Sequence, residues 1–158
     1  MVQPFPSDLV FTVRTKEPEL ISPAKSTPHE VKLLPNRDNQ DALCIQIPFI
    51  HLHHPKPSIA GKDPVTVIKE ALAQTLVFYY PFAGRLKEGE GRKLMVECNR
   101  EGVIFIEADA NITLQEFGDD LHPPFPYFQD LLYSPPGLDK ILHCPILLIL
   151  VSYILLSN

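Results

Sequence analysis

At 158 residues and 45% hydrophobic content the chain is long enough for one buried core, and its net charge of −5 gives no electrostatic basis for binding nucleic acid or an anionic membrane. Its seventeen prolines and seven glycines, 24 of 158 residues, stay well under the roughly 25–30% of a disordered chain, so they mark turns in a soluble globular protein. Cys44, Cys98 and Cys144 stand far apart, which writes neither a disulfide framework nor a CxxC motif and fits a reducing compartment.

The N-terminal "MVQPFPSDLVFTV" has no basic segment before an apolar core, so no signal peptide is expected and the cytoplasm is the default location. Leu9–Thr15 ("LVFTVRT") is rich in β-branched residues and predicts a strand; Leu43–Leu52 ("LCIQIPFIHL") alternates well enough for a second. The stretch between them, Glu17–Asp41, shows no periodicity and reads as a long loop. Asp63 and Pro64 then give a helix start, an N-cap acceptor followed by a proline suited to the first helical position. Val65, Ile68, Leu72, Leu76 and Tyr79 recur at helical spacing as one buried stripe, and Pro81 stops the helix. Gly84 permits a positive φ or a close backbone approach, and a strand follows.

Further on, "KLMVECN" and "GVIFIEADA" flank Arg100 and Glu101, with Asn99 and Gly102 as turn residues, which predicts a β-hairpin. Thr113 and Glu116 form a capping-box pattern at a short helical turn, and "PPFPYFQDLLY" is a proline-punctuated apolar segment. The order of elements points to an α+β fold with a mixed sheet. From Ile141 to Leu156 the chain is strongly apolar, interrupted by His143, Cys144, Pro145 and Ser152. Its length favours a buried strand over a membrane span, which needs about 20 apolar residues. An apolar strand with an unpaired edge is a template for association, so removing Pro145–Asn158 is expected to improve solubility.

Three segments together, "GKDPVTVIKEALAQTLVFYYPFAGRL", "GRKLMVECNREGVIFIEADA" and "LHCPILLI", resemble the N-terminal part of plant BAHD acyltransferases, with most similarity to alcohol acyltransferases of the benzyl alcohol O-benzoyltransferase type. The resemblance runs from Phe11 to about Leu150. It implies an incomplete N-terminal domain, residues 1–158, of a two-domain fold related to chloramphenicol acetyltransferase, with an atypical apolar tail at about 150–158. It also implies acyl transfer from a coenzyme A thioester, such as benzoyl-CoA or acetyl-CoA, to an alcohol. Acyl-CoA is then a co-substrate, no cofactor is held tightly, and the complete enzyme works as a monomer without nucleic-acid or membrane partners. Tyr80, Pro81, Gly84 and Arg85 match a structural signature of the first domain.

In this family a histidine of a His-x-x-x-Asp motif is the general base, a task that suits a group titrating near working pH. Four positions after His29, His51, His53, His54, His122 and His143 stand Leu33, Pro55, Pro57, Ser58, Pro126 and Leu147, so the motif is missing. The family's Asp-Phe-Gly-Trp-Gly signature is missing too, in a chain without tryptophan. No catalytic and no cofactor-binding residue is therefore assigned, and the expectation is a partial enzyme, inactive by itself. The alternatives are a catalytically dead interaction module and a small tail-anchored membrane protein.

The remaining polar residues carry plainer readings. Asn36 and Asp38, in "LLPNRDNQD", match a family segment beside the catalytic channel and are candidate substrate contacts, although Pro35 stands where the family has serine or threonine. His51, His53 and His54 invite a metal, but no further ligand is spaced nearby and a solvated strand end is the reading taken, so no metal residue is assigned. Asp119 and Asp120 read as a solvated pair, and Cys98 and Cys144 as small buried hydrophobes. Arg85 reads as an ion-pair or backbone partner that fixes the helix exit.

Overall fold

The structure, a computed structural model, describes residues 10–35, 47, 48, 50, 51, 61–113, 116, 128–132 and 141–155. Its elements are strands β1 (Val13–Thr15), β2 (Glu19–Ile21) and β3 (Val31–Leu33), helix α1 (Pro64–Phe78), strands β4 (Arg85–Glu88), β5 (Leu94–Glu97) and β6 (Val103–Thr113), a short helix α2 (Phe128–Leu131), and strand β7 (Leu148–Leu155). This is an α+β arrangement with two sheets. In one, β6 pairs antiparallel with β1 and β2 and parallel with β7; in the other, β5 lies between β3 and β4, all antiparallel.

The core sits along β6, whose Val103, Phe105, Ile106 and Ala108 are fully buried, as expected of a central strand covered on both faces. Leu76 of α1 and Ala83 pack against Val103, with Ile21, Leu72 and Leu147 around them. A second cluster, Ala110, Ile112 and Leu131, packs with Phe11, Val13, Ile50 and Ile154. Within the terminal apolar run Leu148–Leu155 is thus a strand, and no helix of the described residues is long and apolar enough to cross a membrane. Its described side chains are half-buried, where full burial was expected.

Three sequence expectations need correction. The stretch Glu17–Asp41 holds β2 and β3. Each has three residues, too few for a period, and Leu20, Val31 and Leu33 are exposed, so only pairing with β6 and β5 defines these strands. The hairpin between β5 and β6 does not exist. Asn99 and Glu101 do make local turn bonds, Glu101 N–H donating to Asn99 Oδ1 at 3.2 Å, yet both edges of β5 are occupied by β3 and β4. The chain instead crosses to the other sheet through Arg100 (φ 63°) and Gly102 (φ 102°). A Cβ at Gly102 would lie 2.6 Å from the Ile21 carbonyl oxygen, so glycine is required there. The strand predicted from Leu9 begins at Val13, and Val10 is 90% exposed. The strand predicted over Leu43–Leu52 lies largely outside the described residues; Ile47, Pro48, Ile50 and His51 belong to no strand.

Candidate functional site

The signature residues gather at the exit of α1. The helix begins as expected: Asp63 accepts from Val65 N–H (3.3 Å), Thr66 N–H (3.0 Å) and the Thr66 hydroxyl (2.6 Å). A partner the sequence did not reveal joins this cap. The Tyr153 hydroxyl on β7 donates to Asp63 Oδ1 at 3.0 Å and accepts from Val65 N–H at 3.3 Å. The Thr66 hydroxyl and backbone, then Tyr153, hold the Asp63 carboxyl at about 2, below its ordinary 3.8. Val65 and Leu76 form the buried face with Ile68 and Leu72 half-buried, whereas Tyr79, expected on that stripe, is 60% exposed because the helix ends at Phe78.

Tyr80–Ala83 forms one 3₁₀ turn, closed by Phe82 N–H on Tyr79 O (3.0 Å) and Gly84 N–H on Pro81 O (3.0 Å). The Tyr80 hydroxyl donates to Glu30, Lys32 pairs with Glu30 at 3.0 Å, and Lys32 Nζ lies 5.4 Å from the Tyr80 ring centroid. This pins the loop before β3 to the helix exit and lowers the Glu30 carboxyl, chiefly through the Tyr80 hydroxyl. Gly84 has φ −93°, so of its two predicted roles the close approach applies: a Cβ there would collide with the Glu97 carbonyl oxygen of β5.

Arg85 is the one charged side chain buried among the described residues, at 4% exposure. Its Nη1 donates to Gly84 O (2.8 Å) and Gly102 O (2.7 Å), and its Nε pairs with Glu101 at 2.9 Å. Gly102 N–H in turn donates to Ala83 O at 2.9 Å. The guanidinium therefore ties the helix exit and β4 to the start of β6. Both predicted roles, ion pair and backbone contact, are met in this one residue. With Nη1 and Nε turned to protein acceptors, the guanidinium holds architecture.

Asn36, Asp38, His53, His54, Asp119 and Asp120 lie outside the described residues. His51 is exposed. Among the described residues no group of three or more His, Cys, Asp or Glu could hold a metal ion. Cys98 is buried and burial raises its thiol pKa, which suppresses thiolate chemistry; Cys144 is half-buried. Thr113 and Glu116 make the reciprocal capping-box bonds, Thr113 N–H on Glu116 Oε2 at 2.7 Å and Glu116 N–H on Thr113 Oγ1 at 3.3 Å. An open cleft of about 610 Å³ lies between Ala24 and the outer side of α1, lined by Val67, Glu70, Ala71, Ala73 and Gln74, away from the junction.

A helix exit held by Gly84 and Arg85 between the start of β4 and the start of β6, on an α+β frame, is the organising feature of the described residues. The model of the Transferase family matches residues 11–154, and the chain belongs to that family, the BAHD acyltransferases. It is 61% identical over 146 residues to a benzyl alcohol O-benzoyltransferase of Petunia hybrida, covering 92% of this chain and 32% of that protein. It is 57% identical over 149 residues to a 13-hydroxylupanine O-tigloyltransferase of Lupinus albus (94% and 33%). With alcohol acyltransferase 16 of Actinidia chinensis var. chinensis the identity is 56% over 149 residues (94% and 33%). The chain spans about a third of the length of the curated relatives it matches. The crystal structure of vinorine synthase overlaps 66% of this chain and 25% of its own at 22% identity, with a TM-score of 0.40.

Proposed function

We propose that these residues are the N-terminal module of an acyl-CoA-dependent alcohol O-acyltransferase, working in the cytoplasm with acyl-CoA as co-substrate and no tightly held cofactor. The observation that carries this is the 61% identity to a benzyl alcohol O-benzoyltransferase over 92% of the chain. The reaction removes the alcohol proton, forms the ester C–O bond at the thioester carbonyl, breaks the C–S bond and releases the coenzyme A thiol. A histidine general base contributes roughly 10²–10⁴-fold to such a step. None of the six histidines here has aspartate four residues on, so this module supplies the frame and the base lies elsewhere in the enzyme. Benzyl alcohol and benzoyl-CoA are the substrate pair supported by the relatives' names; esters of other alcohols with acetyl-CoA are the second choice.

The test has two arms. The 158-residue chain with benzoyl-CoA and benzyl alcohol should release no thiol above a heat-killed control. Reading the transcript beyond codon 158 should find a His-x-x-x-Asp segment in one of the frames, and the product that includes it should form benzyl benzoate. Turnover by the short chain, or a longer product inert toward every acyl-CoA and alcohol tried, overturns the proposal.

A further inference from the structure

We draw no further inference here: the strongest candidate, the exposed aromatic surface patch of Phe78, Tyr79 and Phe82 at the exit of α1, carries nothing because nothing in the structure shows what covers it.

Discussion

The helix exit at Tyr80–Arg85 and the terminal segment Leu142–Leu155 both join the two sheets, by opposite means. The exit does it with residue identity: a glycine where β5 leaves no room for a Cβ, and an arginine whose guanidinium meets Gly84 O, Gly102 O and Glu101. The terminal segment does it with backbone. Leu142 and Pro145 bridge to Leu86 and Arg85 of β4, His143 N–H donates to Leu86 O at 2.8 Å, and β7 then runs along β6. A junction built on identity fails at single substitutions. One built on a ladder tolerates most side chains but fails when the strand is removed.

Removing Pro145–Asn158 should therefore have the largest effect, in the direction opposite to that expected from the sequence. Without β7, the edge of β6 opens beside Val103, Phe105, Ile106 and Ala108, all fully buried. Burial of each large apolar side chain stabilises by about 1.5–3 kcal/mol, so exposing a few of them rivals the roughly 5–15 kcal/mol stability of a domain. The shortened chain should lose its cooperative thermal transition by circular dichroism. A transition kept at the parent temperature would show that β7 is dispensable.

Next in size come the exit residues. Gly84→Ala forces a methyl into the Glu97 carbonyl, a backbone group that cannot swing aside, and should destabilise by about 3 kcal/mol. Arg85→Met keeps most of the apolar stem but leaves Gly84 O and Gly102 O buried without donors, at about 2–3 kcal/mol. Denaturant melts rank the two. If Arg85→Met were neutral, the ion pair and carbonyl bonds would be incidental to the junction.

How legible each region was follows from the same difference. The helix start at Asp63–Pro64, the close approach at Gly84 and the anchoring role of Arg85 are local and tied to particular residue types, so the sequence displays them. The apolar run at Ile141–Leu156 also announces a strand. Pairing is another matter. β2 and β3 are too short to carry a period, and turn residues at Asn99 and Gly102 say that the chain bends without saying that β5 already has two neighbours. Tyr153 stands 90 residues from Asp63, and no spacing rule links a strand tyrosine to a helix cap. The candidate substrate contacts Asn36 and Asp38 rest on resemblance and lie outside the described residues.

Tyr153→Phe probes the side-chain hydrogen bond by which the terminal segment reaches the helix cap. It removes the bond to Asp63 and leaves the ring in place. The expected loss is about 1 kcal/mol, a fall in melting temperature of about 2–4 °C, with β7 still paired to β6 by amide exchange. A larger fall accompanied by lost protection along β7 would mean that the hydroxyl, and not the ladder, holds the strand.

The smallest effect is a pH dependence that separates cap from ladder. The Asp63 carboxyl titrates at about 2 in the folded chain, below its ordinary 3.8, because the Thr66 hydroxyl and backbone and the Tyr153 hydroxyl donate to its charged form. A depressed carboxyl contributes stability that is fully present above its unfolded pKa and is lost as pH falls through the folded one, here between about 4 and about 2. Glu30 and Glu97 are depressed as well, by Tyr80 and Lys87 respectively, so the parent loses stability on acidification from several groups at once. Asp63→Asn isolates the cap, since asparagine accepts the same backbone bonds and does not ionise. The melting temperatures of parent and variant should differ most above about pH 4 and converge as pH approaches about 2. A gap that stays constant across that window would show that Asp63 caps the helix and meets Tyr153 without its charge contributing to the fold.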